Sequence, residues 1–145
     1  MIIQHIPDHM QEHFGTVENL LIGKNTDIVI DLHRDAIGSG SEYAPSVKID
    51  GNSVAQLMFV IGTDGGGLDH PNWNQNLKIA VKIQEKANEM YPGLFRPIII
   101  RNSRYNQHVA KGASIIEVGA TGNTMDECIL SMQCLANVLA KVCKE

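Results

Sequence analysis

Strands that alternate with helices, apolar runs only a few residues long, and titratable side chains where two of those runs end predict an α/β domain. Its sheet is expected to be mainly parallel and flanked by helices. The chain has 145 residues, 43% hydrophobic and 19% charged, a balance that suits one compact domain over 1–145 with a buried core. A net charge of −4 offers no electrostatic footprint for nucleic acid or anionic lipid. No apolar run approaches the roughly 20 residues of a membrane span, and the N-terminus shows no charged-then-apolar export signal. The three cysteines, Cys128, Cys134 and Cys143, fall in the last helical stretch, and neither their number nor their spacing suits a disulfide framework. Cys128 and Cys143 read as small core residues.

Asp8 and Gln11 form a capping pattern, and Met10, Phe14, Val17 and Leu21 follow at helical spacing until Gly23, predicting a first helix. Residues 27–33 read as a strand with Ile28, Ile30 and Leu32 on one face and Val29, Asp31 and His33 on the other. After a turn region from Gly38 to Pro45, Asp50-Gly51-Asn52 separates Val47-Lys48-Ile49 from the run Val54 to Ile61 and predicts a hairpin. Gly62 to Gly67 is a glycine-rich loop ahead of a helix that Pro71 opens. It lacks the spacing and the Lys-Ser/Thr ending of a phosphate loop, so a plain loop is expected rather than a nucleotide cradle.

That helix covers 72–91, with Trp73, Leu77, Ala80, Val81 and Ala87 on the buried stripe, and Pro92-Gly93 ends it. Pro97 to Ile100 is a short buried strand, Asn102 to Lys111 a polar loop, and Ala113 to Val118 the last strand. Thr124 and Glu127 make a capping box for the last helix. Its Met125, Cys128, Ile129, Met132, Leu135, Ala136, Leu139 and Val142 recur at three and four.

The chemistry gathers at two strand ends. Glu117 lies inside Ile115-Ile116-Glu117-Val118, where a carboxylate is expensive to bury unless it is paired, bound to metal or used to carry a proton. His33 closes the apolar run that begins at Ile28. If the two strands lie close, both groups face the crevice outside the strand ends. A neutral imidazole is a zinc ligand, and a nearby carboxylate that is not a ligand takes the proton from metal-bound water. The same residues also fit strand-end charges that merely pair with each other or with Arg34.

His33-Arg34-Asp35 also opens a kinase catalytic loop, but the asparagine and the Asp-Phe-Gly that such a loop needs are missing. His5, His9 and His13 are spaced by four, yet Pro7 interrupts them and they read as a solvated terminal stretch. His70 and His108 read as surface residues. No serine sits on a Gly-x-Ser-x-Gly elbow, which leaves nucleophilic triads without support.

Taken together, several motifs resemble, in order and context, the catalytic domain of the stage II sporulation protein P family. They are Asp31-Leu32-His33-Arg34-Asp35-Ala36, Gly62-Thr63-Asp64 through His70-Pro71-Asn72-Trp73, Tyr91-Pro92-Gly93-Leu94, Tyr105-Asn106-Gln107, and Ile116-Glu117-Val118-Gly119 through Asn123-Thr124. The resemblance covers nearly the whole chain from about residue 14. That family looks like zinc-dependent N-acetylmuramoyl-L-alanine amidases, so the resemblance implies an amidase-like fold and zinc as cofactor. It implies a peptidoglycan hydrolase that cuts the amide between N-acetylmuramic acid and the L-alanine of the stem peptide during sporulation. Residue by residue, it implies His33 as a zinc ligand, Glu117 as the catalytic carboxylate, and Arg34, Tyr105, Asn106 and Gln107 as substrate contacts. Asp31, Asp35 and His108 are weaker candidates for the metal.

The implied partners are peptidoglycan and other engulfment proteins, at an extracytoplasmic site where full-length relatives look membrane-anchored. In the family a His and a Glu on an upstream strand supply the other zinc ligands, and residues 1–26 carry no such strand pattern. The expected fold is therefore the C-terminal portion of a longer catalytic domain, lacking its first strand. The competing expectation is a non-catalytic peptidoglycan-binding or scaffold domain that has lost its complete zinc site.

Overall fold

The computed structural model describes residues 19–23, 28–36 and 42–144. Most of the helix expected from Asp8 onward, and His5, His9 and His13 with it, lie outside the described residues. Residues 19–21 are helical, and Gly23 follows at φ +70. The described chain forms strands β1 (Val29–Asp35), β2 (Ser46–Ile49), β3 (Asn52–Ala55), β4 (Leu57–Gly62), β5 (Ile99–Arg101) and β6 (Ala113–Ala120). Its long helices are α1 (Trp73–Met90) and α2 (Met125–Val142), with a 3-10 turn at Gln107–Val109.

Four strands build the main sheet in the order β1-β6-β4-β5. β6 is parallel to β1 and antiparallel to β4, while β4 is parallel to β5. The α/β class and the mostly parallel sheet stand, but the sheet is mixed. As a result β1 and β6 finish at one end of the sheet, and β4 and β5 at the other.

The antiparallel step arises where the sequence shows one unbroken apolar run. Val54 to Ile61 is two strands, divided at Gln56. The Gln56 N–H donates to the Pro45 carbonyl, and the Gln56 carbonyl accepts from the Gly119 N–H. β3 therefore stays with β2 in the predicted hairpin, and β4 enters the main sheet. Asp50 and Gly51 turn that hairpin at φ +48 and +80, the left-handed pair whose twist matches the strands it joins. Apolar periodicity reports burial and is blind to a change of partner.

Side chains alternate across β4 and β6. Leu57, Phe59, Ile61, Ile116 and Val118 join the main core with Ala80, Ile83 and Ala87 of α1 and Leu135 and Val138 of α2. Phe59 stacks on Phe95 with ring centroids 4.9 Å apart. Each Leu, Ile, Val or Phe among these removed from water contributes about 1.5–3 kcal/mol. Met58, Val60 and Ile115 point the other way, joined by Ile99 and Tyr105. Among the described residues, both long helices thus cover one face of the sheet, where helices on both faces were expected.

Several element boundaries and faces shift from expectation. α1 begins at Trp73 with Asn72 as its N-cap, so Pro71 precedes the cap instead of opening the helix. Its buried line is Asn76, Ala80, Ile83 and Ala87, whereas Val81 is 39% exposed. The short strand is Ile99–Arg101, starting two residues and ending one residue later than Pro97 to Ile100, and as an edge strand it is largely exposed rather than buried. In α2 the capping box forms as predicted between Thr124 and Glu127. The buried line there is Cys128, Ser131, Leu135, Val138 and Val142, which leaves Met125, Ile129 and Cys143 exposed. Ser131 can lie in this line because its hydroxyl donates to the Cys128 carbonyl at 2.8 Å. Among the described residues no helix is long and apolar enough to cross a membrane.

The junction between β6 and α2 is held by polar groups. The Asn123 side-chain oxygen accepts from the Ala120 N–H at 2.8 Å, and its amide donates to the Pro45 carbonyl at 3.2 Å and to Glu127 at 3.1 Å. Glu127 also accepts from the Thr124 N–H at 2.9 Å and from Ser53 at 2.8 Å, tying the hairpin to the helix. The Thr124 backbone bond, then those from Ser53 and Asn123, holds the Glu127 carboxyl below its ordinary range. Gly119 turns at φ +65 over Asn123, and a Cβ there would stand 2.6 Å from the Asn123 side-chain oxygen. Gly119→Ala should therefore destabilise the fold by roughly 2–3 kcal/mol. Urea unfolding would show this as a lower midpoint at unchanged slope. A midpoint equal to the parent's would show that the turn relaxes without loss.

Candidate functional site

The register between β1 and β6 sets His33 directly beside Glu117. Met58 of β4 flanks Glu117 on its other side. Because Ile116 and Val118 face the helices, Glu117 faces the opposite, more open side with Ile115 and Met58. In β1, Ile30 packs into the helix-side core, and Arg34 reaches the carbonyl of Asn123 at 2.8 Å and the sulfur of Cys128 at 3.1 Å. Asp31, His33 and Asp35 alternate with them and share the side of Glu117. β1 extends two residues past His33, so the imidazole lies within the strand near its end rather than closing it.

Glu117 is half-buried, and its Oε2 has no hydrogen-bond partner among the described residues. Burial pushes its carboxyl above the ordinary value, and the negative charge of Asp35 adds to that. His33 and Arg96 oppose the rise. The His33 Nε2 stands 3.0 Å from a carboxylate oxygen of Asp31, both side chains being well exposed. A carboxyl with raised proton affinity and an open lone pair beside an imidazole can accept a proton from a water and return it.

Arg96 is the residue that sequence reasoning missed. Its Nη1 donates to the Asp35 carboxylate at 2.9 Å, with the two side chains only 10% and 11% exposed. Its guanidinium also lies 5.9 Å from the centre of the Tyr43 ring. The available signal was an arginine between Phe95 and Pro97 in an apolar stretch, where a buried cation requires a counter-charge.

The expected substrate contacts scatter. Arg34 points to the helix side of the sheet, away from His33 and Glu117. Tyr105, at φ +52, packs with Met58, Val60 and Ile115 on the same side as Glu117. Asn106 stands at the N-cap position of the 3-10 turn without a side-chain capping bond. Gln107 is buried, with its side-chain oxygen accepting from the Gly62 N–H at 2.9 Å and its amide donating to the Val60 carbonyl at 2.8 Å. Both ends of that amide thus extend the hydrogen bonding of β4, at the end of the sheet opposite Glu117.

The glycine loop lies at that same far end. Its amides are committed within the protein, Thr63 to Arg101, Gly65 to the Thr63 hydroxyl, Gly66 to Asn102 and Gly67 to Asp64, which matches a plain loop and leaves no row of donors for a phosphate. His70 is not the surface residue expected, while His108 is half-buried. His70 is fully buried, and the His108 ring stands edge-on at 6.5 Å between centroids. Burial, then the nearby His108 and Arg104, lowers the proton affinity of His70. A cleft of about 240 Å³ between the hairpin turn and α2, lined by Ile49, Val54, Tyr91, Leu130 and Cys134, contains none of the candidate residues.

A catalytic zinc takes three protein ligands and keeps one position open. Among the described residues no group of three or more His, Cys, Asp or Glu side chains is placed to hold a metal ion. His33 offers one imidazole, and the described residues do not complete a zinc site around it.

A family model described as stage II sporulation protein P matches residues 12–140. Stage II sporulation protein P of Bacillus subtilis (strain 168) is 30% identical over 131 residues, which is 87% of this chain and 30% of that relative. The chain thus spans about 30% of the length of the curated relative it matches. No solved structure matches.

The raised proton affinity of Glu117 has a consequence for stability. Its carboxyl holds a proton more tightly in the folded chain than in the unfolded one. It therefore favours folding below its ordinary value of 4.5, and that contribution is lost as the pH rises through the higher folded value. Glu117→Gln cannot ionise, so with chelator present it should melt above the parent at neutral pH. The two should converge once the pH falls below 4.5. A gap of equal size at both pH values would assign the gain to something other than the buried charge.

Proposed function

The chain belongs to the stage II sporulation protein P family, and from that membership we propose that it acts in sporulation as a peptidoglycan hydrolase. The bond cut is the amide between N-acetylmuramic acid and the L-alanine of the stem peptide. The observation that carries this reading is Glu117, a half-buried carboxyl with an unpartnered oxygen, set by strand register beside His33 on the open side of the sheet.

Amide hydrolysis needs a group that takes a proton from water as it attacks the carbonyl and gives one to the departing amine. Glu117 does both in this proposal. Burial supports the role, because a carboxylate of raised proton affinity is a better base than one in water. Tyr105, which packs on the open side with Met58, Val60 and Ile115, belongs to the proposal as a substrate contact. Zinc belongs to the proposal as a Lewis acid, with His33 as one ligand and the remainder supplied from outside the described residues. The substrate, partner engulfment proteins and extracytoplasmic site of action belong to the same proposal and rest on family membership.

A second reading, a domain that binds peptidoglycan without cutting it, draws on the incomplete metal group around His33 among the described residues. Purified sacculi separate the two. The hydrolase releases stem peptides with new L-alanine amino groups, and Glu117→Gln lowers kcat on the order of a hundredfold to ten-thousandfold while sacculus binding persists. His33→Ala should abolish bound zinc, measured by elemental analysis against about one ion per parent chain. Binding with neither turnover nor zinc would replace the first reading by the second. Turnover by Glu117→Gln at the parent's rate would remove Glu117 from the chemistry.

A further inference from the structure

The pair of strands that brings His33 to Glu117 does not stay in register. His33 pairs with Glu117, but the next pairing joins Asp35 to Ala120, so β6 places one more residue than β1 in this interval. A bulge of this kind bends its strand, raises the local twist and re-aims the side chains beside it. Here it falls directly after Glu117, with Gly119 in the left-handed region at φ +65.

Arg96 lies across that bulge. Its backbone N–H donates to the Leu57 carbonyl at 2.8 Å, anchoring it to the start of β4. Its guanidinium reaches Asp35 of β1 at 2.9 Å, and makes a longer contact of 3.5 Å to the Gly119 carbonyl of β6. The strand that follows the site is held in turn by the Thr121 N–H, which donates to the Asp35 carbonyl at 3.1 Å. One residue therefore touches three strands where the β1–β6 register slips, its side chain reaching β1 and β6 and its backbone β4. The Arg96 Nε is buried with no partner among the described residues. A buried ion pair with an unmet donor is poor evidence of stabilisation, because apolar side chains of similar volume commonly hold a fold as well.

We propose that the Arg96–Asp35 ion pair is a positioning device, which sets the angle of the bulge after Glu117 and so the approach of the Glu117 carboxylate to His33. This rests on the reading of Glu117 as the proton carrier, and the experiment keeps the two apart. Neither Arg96 nor Asp35 is a catalytic residue here. Both act through the geometry of Glu117.

The test compares Arg96→Met, Asp35→Asn, their combination and Arg96→Lys in the 145-residue chain. The first readout is NMR, through the cross-strand contacts between the His33 and Glu117 side chains. Arg96→Met and Asp35→Asn should weaken those contacts and shift both side-chain signals, whereas Arg96→Lys, which keeps a cation within reach of Asp35, should restore them in part. The second readout is hydrolysis of sacculi. kcat should fall on the order of tenfold to a hundredfold, as expected of a misplaced reacting group. KM should stay within about twofold, and the combined variant should be no worse than the singles. A tie that served stability alone would lower the melting temperature and leave the His33 and Glu117 signals of the folded fraction unchanged, and that result overturns the proposal. Should Arg96→Met not fold, Asp35→Asn and Arg96→Lys decide by the same signals. Glu117→Gln run beside them distinguishes the failures. If it is fully active, the hydrolytic role of Glu117 falls while the NMR contacts still decide the positioning role. If it is inactive and Arg96→Met is as active as the parent, the positioning role alone falls.

Discussion

The organisation of the described chain depends on β6 having a partner on each side, β1 running with it and β4 running against it. A strand in this position is buried along its length, and its neighbours must match its register residue for residue. That requirement brings His33 and Met58 to either side of Glu117, from segments distant in sequence. A slip of one residue in β1 would turn His33 to the helix side and Arg34 to the open side. The candidate site is therefore a product of strand register before it is a product of any side chain's own chemistry.

Two glutamates show how environment divides labour between chemically identical groups. Glu127 sits at the start of α2 with donors from Thr124, Ser53 and Asn123, and those bonds hold it ionised and tie the hairpin to the helix. Glu117 has strand neighbours, burial and an unpartnered oxygen, and its proton affinity rises. The first has its hydrogen-bonding capacity filled by the fold. The second is left with capacity that the fold does not use, and this is the property a proton carrier requires.

Family membership and geometry reach different depths. Membership covers most of this chain but about 30% of the length of the curated relative. The described residues supply the carboxyl and one imidazole on a shared face, together with an ion pair that lies across the bulge that follows them. A three-ligand metal group is not among them.

The sequence by itself determined the α/β class, the hairpin around Asp50-Gly51, the capping box at Thr124 and Glu127, and the two strands that carry His33 and Glu117, though both run on past these residues, to Asp35 and Ala120. Each of these is a local property, written in the spacing of apolar residues or in the chemistry of a turn or cap. Tertiary structure alone decided that β4 runs against β6, that the run from Val54 to Ile61 divides at Gln56, and that His70 is fully buried. It also decided that Arg96 meets Asp35, and that the Gln107 amide serves the backbone of β4. These outcomes depend on which segments become neighbours. A strand looks the same in sequence whichever direction its partner runs, and a buried arginine or glutamine reveals its role only when the group it satisfies arrives from elsewhere in the chain.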